Sequence, residues 1–106
     1  MHIQNAKEPS DCRSIEDIRA EIDRLDKVVV ALLGKRFQYV LAATTFKTSE
    51  SSVRAPERLK AMLQQRRVWA EEYGLNPDAI EKLYRDLVNH FIEEEMKRWR
   101  GETSQG

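Results

Sequence analysis

The 106-residue chain reads as an all-α domain of three helices, the first of them unusually long. Three observations carry that reading. Apolar residues recur at three- and four-residue intervals through Ile15, Ile18, Ile22, Leu25, Val29 and Leu32, which gathers them on one helical face. Helix-starting residues stand at Ser14, Pro56 and Asn76-Pro77, and a helix-ending glycine at Gly74. No proline interrupts the chain between Ile15 and Pro56.

Ser14 followed by Asp17 makes a capping box, so the first helix starts near Ile15. Its rhythm runs on to about Thr48. Gly34 followed by Lys35 and Arg36 resembles a helix C-terminus, but the apolar phase passes unshifted to Val40 and Ala43. One continuous helix is therefore expected. Thr48 to Ala55 is a polar connector. Pro56 opens the second helix at its favoured first position, with Leu59, Met62, Leu63, Trp69 and Ala70 facing inward. Gly74 ends it, with Leu75 as the apolar contact beyond the cap. Asn76 caps the third helix and Pro77 fills its first turn. The inward stripe there is Ile80, Leu83, Tyr84, Leu87, Val88 and Phe91, followed by Glu95. Residues 1–10 and 101–106 are expected as flexible tails flanking a helical domain at 11–100.

Composition removes several function classes. The 18 basic and 18 acidic residues balance, so nothing draws the chain to nucleic acid or to an anionic membrane. No apolar run approaches the roughly 20 residues of a membrane span. The start of the chain lacks the apolar stretch of a signal peptide, and Cys12 stands alone, so a cytoplasmic setting is expected. His2 and His90 are isolated; no metal-ligand spacing, cofactor motif or nucleophilic triad is visible, so neither metal nor cofactor is expected.

The informative residues are charges on apolar stripes. Arg36 falls on the beat after Leu32, and Lys47 follows eleven residues later, which on an α-helix leaves the two roughly 20° apart. Burying a cation costs several kcal/mol unless it is partnered, so two on one stripe suggest an anionic ligand. The alternative is that they pair with buried carboxylates or snorkel to an edge. Glu95 is the third such residue, at the centre of the last helix's apolar face. Beside Lys47 it would form an ion pair; in an apolar pocket the neutral acid would donate a hydrogen bond.

Helix length points to a second chain. A helix from Ile15 to Thr48 would be about 50 Å long, whereas a compact domain of this size is roughly 33 Å across. Its stripe is best covered by an antiparallel copy, giving a homodimer; the alternative is a monomeric bundle bent at Gly34. In such a dimer Arg19, about 25 Å before Arg36 along one helix, meets Arg36 and Lys47 of the other chain. Two arginines suit the two carboxylates of a small dicarboxylate, and a lysine is left to stabilise charge on an oxygen as a bond breaks.

Ile18-Arg19-x-x-Ile22-Asp23-x-x-Asp26, Leu33-x-x-Arg36 and Phe46-Lys47 resemble the AroQ class of chorismate mutases. Asp11-Cys12, Phe46-Lys47-x-Ser49-Glu50, Ala55-Pro56-Glu57-Arg58, Trp69-Ala70-Glu71-Glu72, Gly74-Leu75 and Lys97-x-Trp99-Arg100 are similar to the isochorismate-pyruvate lyases of salicylate and siderophore biosynthesis within that class. The resemblance spans residues 11 to 100. It implies an intertwined homodimer with two active sites, each lined by both chains. It further implies that Arg36 and the partner chain's Arg19 hold the substrate carboxylates, that Lys47 contacts the enolpyruvyl ether oxygen, and that Arg58 lies near the pocket. The segment Thr48 to Ala55 would serve as a lid.

Two positions depart from the class. Glu95 stands where the class usually carries a glutamine that donates to the ether oxygen, so the site needs the protonated acid or uses Glu95 to orient Lys47. Leu59 follows Arg58 where mutases commonly carry a glutamate that holds the chorismate ring hydroxyl, which favours the lyase. The resemblance thus implies an isochorismate-pyruvate lyase with weak chorismate mutase activity. Chorismate mutase is the alternative, and a non-catalytic helical dimerisation or regulatory module the further one.

Overall fold

The computed structural model describes residues 6–101. Every regular element among them is helical: α1 (Ile15–Ala43), α2 (Glu50–Arg54), α3 (Pro56–Glu72) and α4 (Pro77–Trp99), with short 3-10 turns at Pro9–Asp11 and Thr44–Phe46. The chain divides into two compact units, Met1–Gln38 and Tyr39–Gly106.

In the first unit Ser14 caps α1 as read, but the reciprocal bond of the box goes to the residue before the cap. Ser14 Oγ accepts from the Asp17 backbone N–H at 3.1 Å, and the Asp17 carboxylate accepts from the Arg13 N–H at 2.9 Å. The expected tail at 1–10 lies partly outside the described residues. Within them, the backbone N–H groups of Ala6 and Lys7 donate to Glu21 at 2.9 and 3.3 Å, and Lys7 pairs with Asp17 at 3.1 Å. This segment is thereby hooked onto the first turns of α1. Gly34 does not break α1, which continues for 29 residues, about 43 Å. Of the expected apolar stripe, Ile15, Ile18, Ile22, Val29 and Leu32 are exposed and Leu25 is half-buried.

The helix stops at Ala43, five residues short of the expected end near Thr48. Thr44 and Thr45 turn their hydroxyls back on the carbonyls of Leu41 and Ala42, at 2.6 and 2.9 Å. These bonds compete with the helical ladder, and the chain tightens into a 3-10 turn. Lys47 then leaves it in extended conformation, with φ −90° and ψ 134°. It therefore does not continue the α-helical stripe of Arg36.

The connector from Thr48 to Ala55 holds the short helix α2, which sequence periodicity does not reveal. Ser49 and Ser52 cap it reciprocally, and Val53 is buried beneath it. Ala55 adopts a left-handed conformation at φ 41° and hands the chain directly to Pro56.

The second unit is built on α3 and α4, which pack together as a hairpin; α2 and the turn at Thr44–Phe46 also lie against α4. Its buried apolar core is Val53, Met62, Leu63, Ala70 and Met96. Trp69 and Leu83, expected inward, are exposed. The Trp69 ring instead carries the Arg66 guanidinium, 4.5 Å from its centroid, an arrangement worth roughly 0.5–1 kcal/mol at an open site.

The turn between α3 and α4 follows its residues closely. Gly74, at φ 77°, donates to Glu71 O at 3.2 Å while Leu75 donates to Ala70 O at 2.7 Å, a Schellman closure. Asn76 Oδ1 accepts from Ala79 N–H at 3.0 Å and starts α4. A Cβ at Gly74 would meet no neighbour, so Gly74→Ala isolates the backbone strain. It is expected to lower unfolding free energy by about 1 kcal/mol in denaturant titration. An unchanged midpoint would contradict the closure.

Carboxylates brace both units and give stability an acid limb. Asp17 is held below its ordinary 3.8 by the Arg13 N–H and then by Lys7. Burial pushes the Glu21 carboxyl up, but the N–H groups of Lys7 and Ala6 together with Arg24 outweigh it and leave it lowered. Glu81, bonded by Arg85 at 2.6 Å and Arg67 at 2.8 Å, is also lowered. A lowered native value means the contribution is complete above the unfolded-state value and is lost as pH falls from about 4 downward. Glu81→Gln should remove part of that acid dependence in unfolding curves taken between pH 7 and pH 3. An identical pH dependence in the variant would count against it.

Candidate active site

Lys47 and Glu95 are the two sequence-selected charges that the structure brings together. The Lys47 ammonium lies 3.3 Å from the Glu95 carboxylate, across 48 residues of chain. The Glu95 side chain is only 5 % exposed and that of Lys47 23 %. Glu95 reaches this place because it falls on the buried face of α4 next to Met96. Lys47 reaches it because the turn at Thr44–Phe46 lies on the same helix. A carboxylate sequestered to this degree needs its partner, and the lysine supplies one without filling its own donor capacity. An ammonium has three N–H groups, so donors remain for a ligand.

The main chain around Lys47 is held as well. Its N–H donates to Thr44 O at 3.2 Å, and its carbonyl accepts from the indole N–H of Trp99, also at 3.2 Å. Thr48 and Ser49 donate their N–H groups to Ser52 Oγ at 3.2 and 3.1 Å. Outside this shell, Glu50 pairs with Arg54 at 3.4 Å and Arg100 at 3.2 Å, and Arg54 with Glu93 at 3.3 Å. The expected lid is thus fastened to the C-terminal end of α4 by exposed ion pairs. Each such pair contributes little, about 0–1 kcal/mol.

The arginines are placed differently. Arg36 is half-buried on α1, while Arg19, on the same helix, is exposed. Arg58 is exposed in the first turn of α3. Trp99 and the Ser49–Ser52 cap carry no role in the sequence reading. A usable signal existed for the second, since two serines three apart before Val53 can cap each other; nothing in the sequence marks the acceptor of the Trp99 indole.

The chain belongs to the chorismate mutase type II family, whose model matches residues 18–96. Over 94 residues it is 47 % identical to a Pseudomonas aeruginosa protein named isochorismate pyruvate lyase, covering 89 % of this chain and 93 % of that one. It is also 38 % identical over 82 residues to the T-protein of Haemophilus influenzae and 36 % identical over 72 residues to that of Enterobacter agglomerans. These alignments take in 76 % and 67 % of this chain but only 21 % and 19 % of the T-proteins. No described helix is long and apolar enough to cross a membrane.

Proposed function

We propose that this chain is an isochorismate-pyruvate lyase, converting isochorismate to salicylate and pyruvate in one pericyclic step with weak chorismate mutase activity. The observation that carries the reading is the 47 % identity to the Pseudomonas lyase across 93 % of that protein's length. In the reaction the bond between the ring carbon and the ether oxygen breaks as a ring hydrogen passes to the terminal methylene of the enolpyruvyl group, which keeps that oxygen. The ring becomes aromatic and the side chain leaves as pyruvate. No proton, electron or covalent intermediate on the protein is required. Electron density grows on the ether oxygen as its bond lengthens, and the Lys47 ammonium is the group that meets it. Glu95 fixes the direction of that ammonium, or as the neutral acid donates to the same oxygen. Arg36, with Arg19 from a second copy, holds the substrate carboxylates in a compact reactive conformer, and Arg58 lies near the pocket.

The dimer is part of this proposal. The exposed apolar stripe of α1 supports it, because five large aliphatic residues in one row form a surface that water disfavours and a second copy can cover. The family match also favours a second substrate, chorismate, giving prephenate through the same site. Leu59, where a mutase glutamate is expected, weighs against chorismate as the main one. Purified protein incubated separately with each compound decides the matter. Salicylate fluorescence from isochorismate at a rate well above prephenate formation is expected. Prephenate alone would establish the mutase, and neither product the non-catalytic module.

A further inference from the structure

We propose that Trp99 is a positioning residue for Lys47, holding its main chain so that the ammonium meets the reacting oxygen. The proposal rests on the reading of Lys47 as the charge-stabilising group. Lys47 lies where the chain has left one helix and not yet entered the next: its N–H is the last to bond backward, to Thr44, and α2 begins only at Glu50. A residue in extended conformation between two helices has no ladder to fix its peptide planes. The Lys47 carbonyl is fixed instead by the Trp99 indole N–H at 3.2 Å, 52 residues away in sequence. Glu95, which takes the other end of Lys47 at 3.3 Å, precedes Trp99 by one helical turn. Residues four apart share a helix face. One face of α4 therefore grips both the head and the root of the same lysine.

The two grips do different things. The peptide that joins Lys47 to Thr48 is held on one side by the Thr48 N–H on Ser52 Oγ and on the other by the Trp99 indole on the Lys47 carbonyl. Only the Trp99 bond ties it to the helix that carries Glu95, and so fixes the root of the side chain relative to its head. Indole N–H is a donor only, so the bond cannot be replaced by reversing its sense. The ion pairs Glu50–Arg100 and Arg54–Glu93 add a looser closure of α2 over the same end of α4. Screened and exposed, they cannot set a position to a fraction of an ångström; a half-buried hydrogen bond can.

Two replacements of Trp99 separate the bond from the ring: Trp99→Phe, and substitution by the benzothiophene isostere of tryptophan, which keeps the shape and lacks the N–H. Misplacing a charged group by a fraction of an ångström to 1 Å should lower kcat about tenfold in both, with KM and the thermal midpoint little changed. Trp99→Phe placed on Lys47→Ala should cause no additional loss, because the group it positions is gone. A fully active isostere variant, or the same tenfold loss on the Lys47→Ala background, overturns the proposal. Lys47→Ala with wild-type turnover would instead remove the reading of Lys47 beneath it, whatever Trp99 does.

Discussion

Lys47→Ala is expected to lower kcat/KM for isochorismate by about 10²- to 10³-fold, the range seen when a preorganised donor to a developing oxyanion is removed. The loss should fall mainly on kcat, because the ether oxygen gains charge only as its bond breaks, whereas the carboxylates are bound throughout. Stability should fall as well, because the variant leaves Glu95 with 5 % of its side chain exposed and no cation beside it. An inactive Lys47→Ala protein that is still folded at the assay temperature is the signature of a catalytic lysine. A fully active one would mark Lys47 as a structural counter-ion to Glu95 and no more.

The second large effect concerns the charge of Glu95. In the proposed site its carboxylate presents negative charge near an oxygen that itself becomes negative, and it also claims the Lys47 ammonium at 3.3 Å. Glu95→Gln keeps an acceptor for Lys47, removes the repulsion and adds a permanent N–H donor, so it should raise kcat several-fold with KM little changed. A Glu95→Gln protein slower than wild type would contradict this role.

The parts of the fold legible in the sequence were those set by local chemistry. Ser14, Gly74 and Asn76 each satisfy backbone groups within a few residues, and Pro56 starts its helix with no N–H left over; each does so in the structure. The passage of α1 through Gly34 was also readable, because an unshifted apolar phase on both sides outweighs one glycine. The end of α1 was not. Thr44 and Thr45 are compatible with a helix by pattern, and only their back-bonding hydroxyls show why the chain tightens there. Nor was α2, since five residues are too few to display a period.

At the site, the same limit applies. Lys47 and Glu95 were conspicuous because charges interrupted apolar rows, and they meet. The route differs from the one expected: Lys47 arrives from an extended residue after a 3-10 turn, not along a helical stripe from Arg36. Trp99 was hidden because its partner is a backbone carbonyl, which every residue possesses and no sequence pattern marks.

The central claim is that each site combines Arg36 and Lys47 of one chain with Arg19 of another. Arg19→Ala and Lys47→Ala proteins, each nearly inactive alone, can be unfolded together, refolded as a mixture and assayed for salicylate. In a two-chain site every mixed dimer has one wholly wild-type site and one doubly altered site. With statistical pairing, activity should return to about a quarter of the wild-type level. A mixture no more active than its two components would contradict a site shared between chains.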